Sequence, residues 1–147
     1  MIVNRQRRVA VDEEGLRTFA ARLARALRLP ADSFAVALMS DGGIAALNRR
    51  YRHKAKATDV LSFPLERHGK ARLPPTRGGQ DNGCLGDVVI SVETARRNSR
   101  RYRHSPAAEI KLLMLHGVLH LLGYDHETDR GQMNRREHAL RRRLGLE

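Results

Sequence analysis

His116-Gly117-Val118-Leu119-His120-Leu121-Leu122-Gly123-Tyr124-Asp125-His126 places three histidines within eleven residues. Residues four apart on a helix share a face and stand one turn, roughly 6 Å, apart along the axis, so His116 and His120 can grip one ion. Gly123 offers the permissive backbone on which helices commonly end, and a turn there brings His126 back toward the same point. Leu112, Leu113, Leu115, Leu119, Leu121 and Leu122 surround the histidines, which makes this helix largely buried. Buried imidazoles need partners. A lone histidine would read as a polar residue on a wet helix face; three at this spacing read as the ligands of one metal ion. Imidazole suits zinc, and three protein ligands leave zinc's fourth position open, the arrangement of catalytic rather than structural sites.

The skeleton H-x-x-x-H-x-x-G-x-x-H is shared with the metzincin proteases, whose second position is the glutamate that takes a proton from the metal-bound water. Here that position is Gly117, so a peptidase of that type would lack its general base. The whole string HGVLHLLGYDH instead resembles the signature of the YbeY family, single-metal endoribonucleases of bacterial ribosomal RNA maturation. Two further stretches carry the same resemblance. One is Leu47-Asn48-Arg49-Arg50-Tyr51-Arg52 leading into Thr58-Asp59-Val60-Leu61-Ser62-Phe63-Pro64; the other is Leu85-Gly86-Asp87-Val88-Val89-Ile90-Ser91. The blocks stand in the family's order and run from Leu47 to His126. The chain departs from the family pattern at Ala57, where proline is usual, and in a long segment between the second and third blocks. Neither departure touches a ligand.

The resemblance implies a zinc-dependent, single-strand-specific endoribonuclease acting in small-subunit ribosomal RNA 3′-end maturation and ribosome biogenesis. Its partners would be ribosomal RNA and components of the small ribosomal subunit, with one Zn2+ on His116, His120 and His126 and no small-molecule cofactor. It also implies an active-site role for Arg52, the arginine of the L-N-x-x-Y-R motif, whose guanidinium fork suits a pair of phosphate oxygens. Metal-bound water is the expected nucleophile. No carboxylate stands out as its base, and Glu109, Asp87 and Asp125 are candidates by proximity alone. The competing reading, from a different class, is a non-catalytic ribosome-assembly factor whose metal merely holds the fold.

Composition agrees with an anionic partner. Lys and Arg number 28 against 16 Asp and Glu, for a formal net charge of +12, which favours nucleic acid. Aromatic residues are 4% with no tryptophan, so base-stacking platforms have little material and phosphate contacts should lead. Two basic segments are the candidate RNA contacts: Arg49 to Lys56 and Arg96 to Arg103. A single cysteine, Cys84, excludes an intrachain disulfide and fits a reducing compartment. With neither a leader-like apolar stretch at the start nor a run of membrane-spanning length, a cytoplasmic protein with no membrane partner is expected.

Periodicity predicts an α+β fold over residues 1–147: one compact domain, a small mixed sheet of about four strands packed with helices. The histidine spacing adds the expectation of a zincin-like metal site on a central helix. A strand is expected from Val3 to Val11, then a helix capped by Asp12 carrying Leu16, Phe19, Leu23 and Leu27 inward and ended by Pro30. A buried strand from Phe34 to Met39 follows, then a short helix capped by Asp41. Strands are expected from Val60 to Leu65 and Leu85 to Ser91, with a Gly/Pro-rich flexible loop at 66–84 between them. Ser91 caps a short helix, Ser105-Pro106 opens the ligand helix, and Thr128 caps a last helix packing Met133, Leu144 and either Ala139 or Leu140. His53, His68, His104 and His138 lack ligand spacing and stay outside the metal set.

Overall fold

The computed structural model describes residues 1–52, 58–65, 84–125 and 127–146, with Arg52 described by its backbone alone. His53, His68, His126 and all of the expected 66–84 loop but Cys84 lie outside the described residues. Along the chain come β1 (Ile2–Asn4), α1 (Glu13–Ala26), β2 (Phe34–Met39), α2 (Asp41–Arg52), β3 (Val60–Pro64), β4 (Gly86–Ser91), α3 (Val92–Arg101), α4 (Pro106–Leu121) and α5 (Gln132–Arg143). The strands form one mixed sheet in the order β1-β2-β4-β3. β1, β2 and β4 are parallel, and β3 lies antiparallel to β4 at the edge. This is the α+β fold that the periodicity predicts.

Alternation along the strands divides the interior in two. Val36 and Leu38 of β2 and Val88 and Ile90 of β4 join α1, α3, α4 and α5 in the larger core. Their neighbours Ala37 and Val89, with Leu61 and Phe63 of β3, turn to the other face and pack on Ile44 of α2. Each fully buried Leu, Ile or Phe contributes about 1.5–3 kcal/mol by leaving water. The sheet is therefore fixed from both sides, with α4 on one and α2 on the other.

Helix ends follow local chemistry. Asp12 accepts the Gly15 N–H at 3.0 Å, Ser91 that of Thr94 at 3.3 Å and Ser105 that of Ala108 at 3.1 Å; such a cap contributes about 1 kcal/mol. α1 stops before Pro30 because Arg28 takes a left-handed φ of 57°, and the Arg28 and Leu29 N–H groups close back on the Arg25 and Ala24 carbonyls. α4 ends the same way on Gly123, φ 99°: its N–H donates to the His120 carbonyl and that of Tyr124 to Leu119, so the last carbonyls are satisfied by backbone.

Three expectations need correction. β1 ends at Asn4 rather than near Val11, because the Gln6 side chain bonds the Asn4 side chain and both the N–H and the carbonyl of Val9. That local loop competes with strand pairing. Asp41 does not cap α2; Ser40 does, accepting the Gly43 N–H at 3.1 Å. Asp41 is instead the first helical residue, and its carboxylate accepts from Ser91, the cap of α3, and from Thr94 and Arg97 within that helix. Glu93 of α3 returns the favour by accepting the Asp41 N–H at 2.8 Å. Thr128 does not cap the last helix either: Asp129 accepts the N–H groups of Gly131 and Met133 at 2.8 and 2.9 Å. Of the alternatives on that helix, Leu140 is buried and Ala139 exposed.

Candidate metal centre

α4 lies across β3 and β4 at unusually close range, and Gly117 is the reason. A Cβ there would stand 2.5 Å from a Val88 methyl and 3.3 Å from the Ser62 hydroxyl. The Gly117 carbonyl accepts a hydrogen bond from Ser62 at 2.9 Å. The position that holds a glutamate in the metzincin pattern is thus occupied by the sheet, and a carboxylate cannot fit there.

With Gly117 against the sheet, His116 and His120 fall on the neighbouring, partly open face. Their rings meet edge to face, centroids 4.7 Å apart and planes at 75°, with the Nε2 atoms 3.2 Å apart. Two nitrogens bound tetrahedrally to one zinc at roughly 2.0–2.1 Å would be separated by about 3.3 Å. The pair has the bite that a zinc ion requires. At this range a shared proton is the other thing that can join two Nε2 atoms.

The rear nitrogen of His116 meets a group that spacing does not reveal. His116 Nδ1 lies 3.3 Å from a carboxylate oxygen of Glu137 on α5. Burial pushes the Glu137 carboxyl upward, but the hydrogen bond from His116 and the charges of His116, Arg141 and His138 outweigh it and hold it below its ordinary value. Glu137 is 21 residues from His116 in a helix whose motif content is nil. The one available signal is its position: Met133, one turn before it, and Leu140, one turn after, both point into the core.

The other candidates separate clearly. Glu109 is seven residues upstream of His116, roughly 10 Å along the helix, and binds His104 at 2.6 Å and Asn98 at 3.4 Å. Asp87 is buried on the strand face opposite that of Val88, hence away from α4. Asp125 is exposed and accepts the Glu127 N–H. His138 is exposed on α5. Among the described residues no three ligating side chains converge; the expected third, His126, lies outside them. Arg97 of the second basic segment is engaged by Asp41 at 2.8 Å.

Arg52 ends α2, with nothing described of its side chain. The preceding Tyr51 packs edge-on against Phe63 of β3, centroids 5.7 Å apart. The next residue back along β3 is Ser62, bonded to Gly117. The two motif blocks therefore meet on opposite faces of one strand.

Fold and site together define a small α+β protein with a two-imidazole grip on a helix packed across a mixed sheet. The model of the family described as Endoribonuclease YbeY matches residues 1–145. An endoribonuclease YbeY of Nautilia profundicola is 47% identical over 109 residues, 74% of this chain and 70% of that protein. One from Pelotomaculum thermopropionicum is 42% identical over 152 aligned positions, 99% of this chain and 97% of that protein. The solution structure of TM1509 from Thermotoga maritima superposes with a TM-score of 0.62 at 22% identity, covering 98% of this chain and 89% of that one, a likeness of fold. The chain belongs to the endoribonuclease YbeY family. Among the described residues no helix is long and apolar enough to cross a membrane.

Proposed function

We propose that this chain is a zinc-dependent endoribonuclease of the cytoplasm that cleaves single-stranded ribosomal RNA, in the 3′-end maturation of the small subunit, together with components of that subunit. The observation that carries the reading is the 3.2 Å approach of the His116 and His120 Nε2 atoms, in a chain 42–47% identical to relatives named Endoribonuclease YbeY. His116, His120 and His126 would hold the ion. A divalent ion there supplies Lewis acidity toward a phosphoryl oxygen and makes a water molecule a stronger acid.

The protein's own part is placement and charge. His116 and His120 must be neutral to offer their lone pairs, so metal affinity falls as they protonate. The Gly123 turn sets the direction in which the chain continues toward His126. Arg52 is proposed to neutralise charge that develops on the phosphate oxygens as the bond breaks. Exposed arginines on α3 and α5, such as Arg100, Arg101, Arg142 and Arg143, add phosphate contacts that position the strand.

The test is direct. Purified protein should carry about one zinc per chain and cut small-subunit RNA at a defined phosphodiester, losing both on chelation and regaining both when zinc is returned. Stoichiometric zinc without cleavage of any single-stranded RNA would count against the enzyme and favour the assembly-factor reading.

A further inference from the structure

α5 turns Met133, Leu140 and Leu144 into the core. Glu137 lies one turn after the first and one turn before the second, on the packed side of the helix, and is its only acidic residue. A carboxylate set among apolar anchors costs free energy unless it is hydrogen-bonded, and its partner is His116 Nδ1 at 3.3 Å. The two side chains retain 29% and 20% of their exposure, so the contact is shielded from much of the competing water.

The directions of the ring nitrogens follow. His116 Nε2 faces His120 Nε2 at 3.2 Å, and Nδ1 faces Glu137. An ionised carboxylate only accepts hydrogen bonds, so the hydrogen must sit on Nδ1. In the neutral ring that leaves the Nε2 lone pair aimed into the space between the histidines, as a metal ligand requires.

We infer that Glu137 is a positioning residue for the metal site: it holds His116 in the Nδ1–H tautomer and fixes the orientation of the ring, so that Nε2 is presented to the ion. The inference rests on the metal reading above. Carboxylate, imidazole and metal in line both orient the ligand and raise its basicity, and losing such a carboxylate typically weakens metal binding about 10–100-fold.

The test pairs two Glu137 variants with a ligand variant. Zinc affinity, by competition against a chelator, should fall about 10–100-fold in Glu137→Ala and by less in Glu137→Gln, whose amide oxygen can still accept from Nδ1. Nitrogen-detected NMR of metal-free protein, at a pH where His116 is neutral, should show the Nδ1–H tautomer in wild type and its loss in Glu137→Ala. A purely structural Glu137 would lower thermal stability in both variants while leaving tautomer and affinity unmoved, which would overturn the inference. If His116→Ala loses zinc while Glu137→Ala binds it like wild type, the positioning role fails and the metal reading stands. If His116→Ala keeps wild-type zinc affinity, both fail.

Discussion

The Ser62 hydroxyl donates a hydrogen bond of 2.9 Å to the Gly117 carbonyl, tying the edge strand β3 to α4 at the residue between His116 and the rest of the motif. Helical carbonyls normally accept from the residue four positions later, so this one serves the tertiary fold as well as the helix. The same close approach leaves no room for a side chain at residue 117, which is why a glycine stands where an otherwise similar motif carries its base. The helix is held by its bare side.

Gly117→Ala should therefore destabilise the protein. Alanine is the better helix former by about 1 kcal/mol, but its methyl would lie 2.5 Å from Val88, and overpacking of this kind costs about 1–3 kcal/mol. Crowding wins. A lower urea midpoint with an unchanged slope is expected; a higher midpoint would show that the helix and sheet separate more easily than their packing implies.

His120→Ala should bind zinc far below stoichiometry and lose cleavage with it, while retaining the circular dichroism of the wild type. If the variant instead unfolds, the ion is holding the fold and the non-catalytic reading gains. Full zinc occupancy would mean that the ligands lie elsewhere.

For Arg52, the expected result of replacement by alanine is unchanged zinc content and a cleavage rate lower by about 10²–10³, the usual loss for one preorganised donor. Arg52→Lys should recover little, because lysine keeps the charge without the planar fork. Single-turnover rates at saturating RNA decide the matter, and a fully active lysine variant would return Arg52 to the general basic surface.

Asp41 predicts a pH dependence. Burial raises its pKa, but the hydrogen bonds from Ser91, Thr94 and Arg97 and the charge of Arg97 prevail and leave it below its ordinary value. A carboxyl whose folded pKa is depressed contributes stability that is present above its unfolded value, about 3.9, and lost as pH falls through the folded value. Asp41→Asn should cost stability at neutral pH and flatten the acid side of the stability curve. Denaturation at a series of pH values measures this; parallel curves for the two proteins would exclude a role for the charge.

What the sequence makes legible follows from how local each signal is. Ser105, Pro106 and Gly123 mark the ends of α4 because capping involves neighbouring residues, and β2 stands out as a short apolar run. The early end of β1 depends on a Gln6 side chain choosing its own backbone over a strand, which periodicity cannot weigh. Thr128 is not the cap because the chain enters α5 through Gly131 at a positive φ of 92°, and Asp129 accepts the N–H groups of Gly131 and Met133 instead. Glu137 was beyond reach for a different reason: its meaning resides in a contact across 21 residues, made only after α5 docks on α4. The pairing of His116 with His120 was legible because one helical turn contains it.

β3 has a consequence for how reliably the centre assembles. Its five residues put Leu61 and Phe63 toward α2 and Ser62 toward α4, so sliding the strand by one residue would exchange the faces, sending a hydroxyl into an apolar core and a phenyl ring against α4. Gly86 makes such a slip harder still, because it sits opposite Pro64 with room for no side chain beneath the Phe63 carbonyl, where a Cβ would come within 2.3 Å. The aligned and slipped states thus differ by several unfavourable contacts at once rather than by one. Proofreading of the strand's alignment is built into the two cores, and the spacing between Tyr51 and the histidine pair is inherited from it.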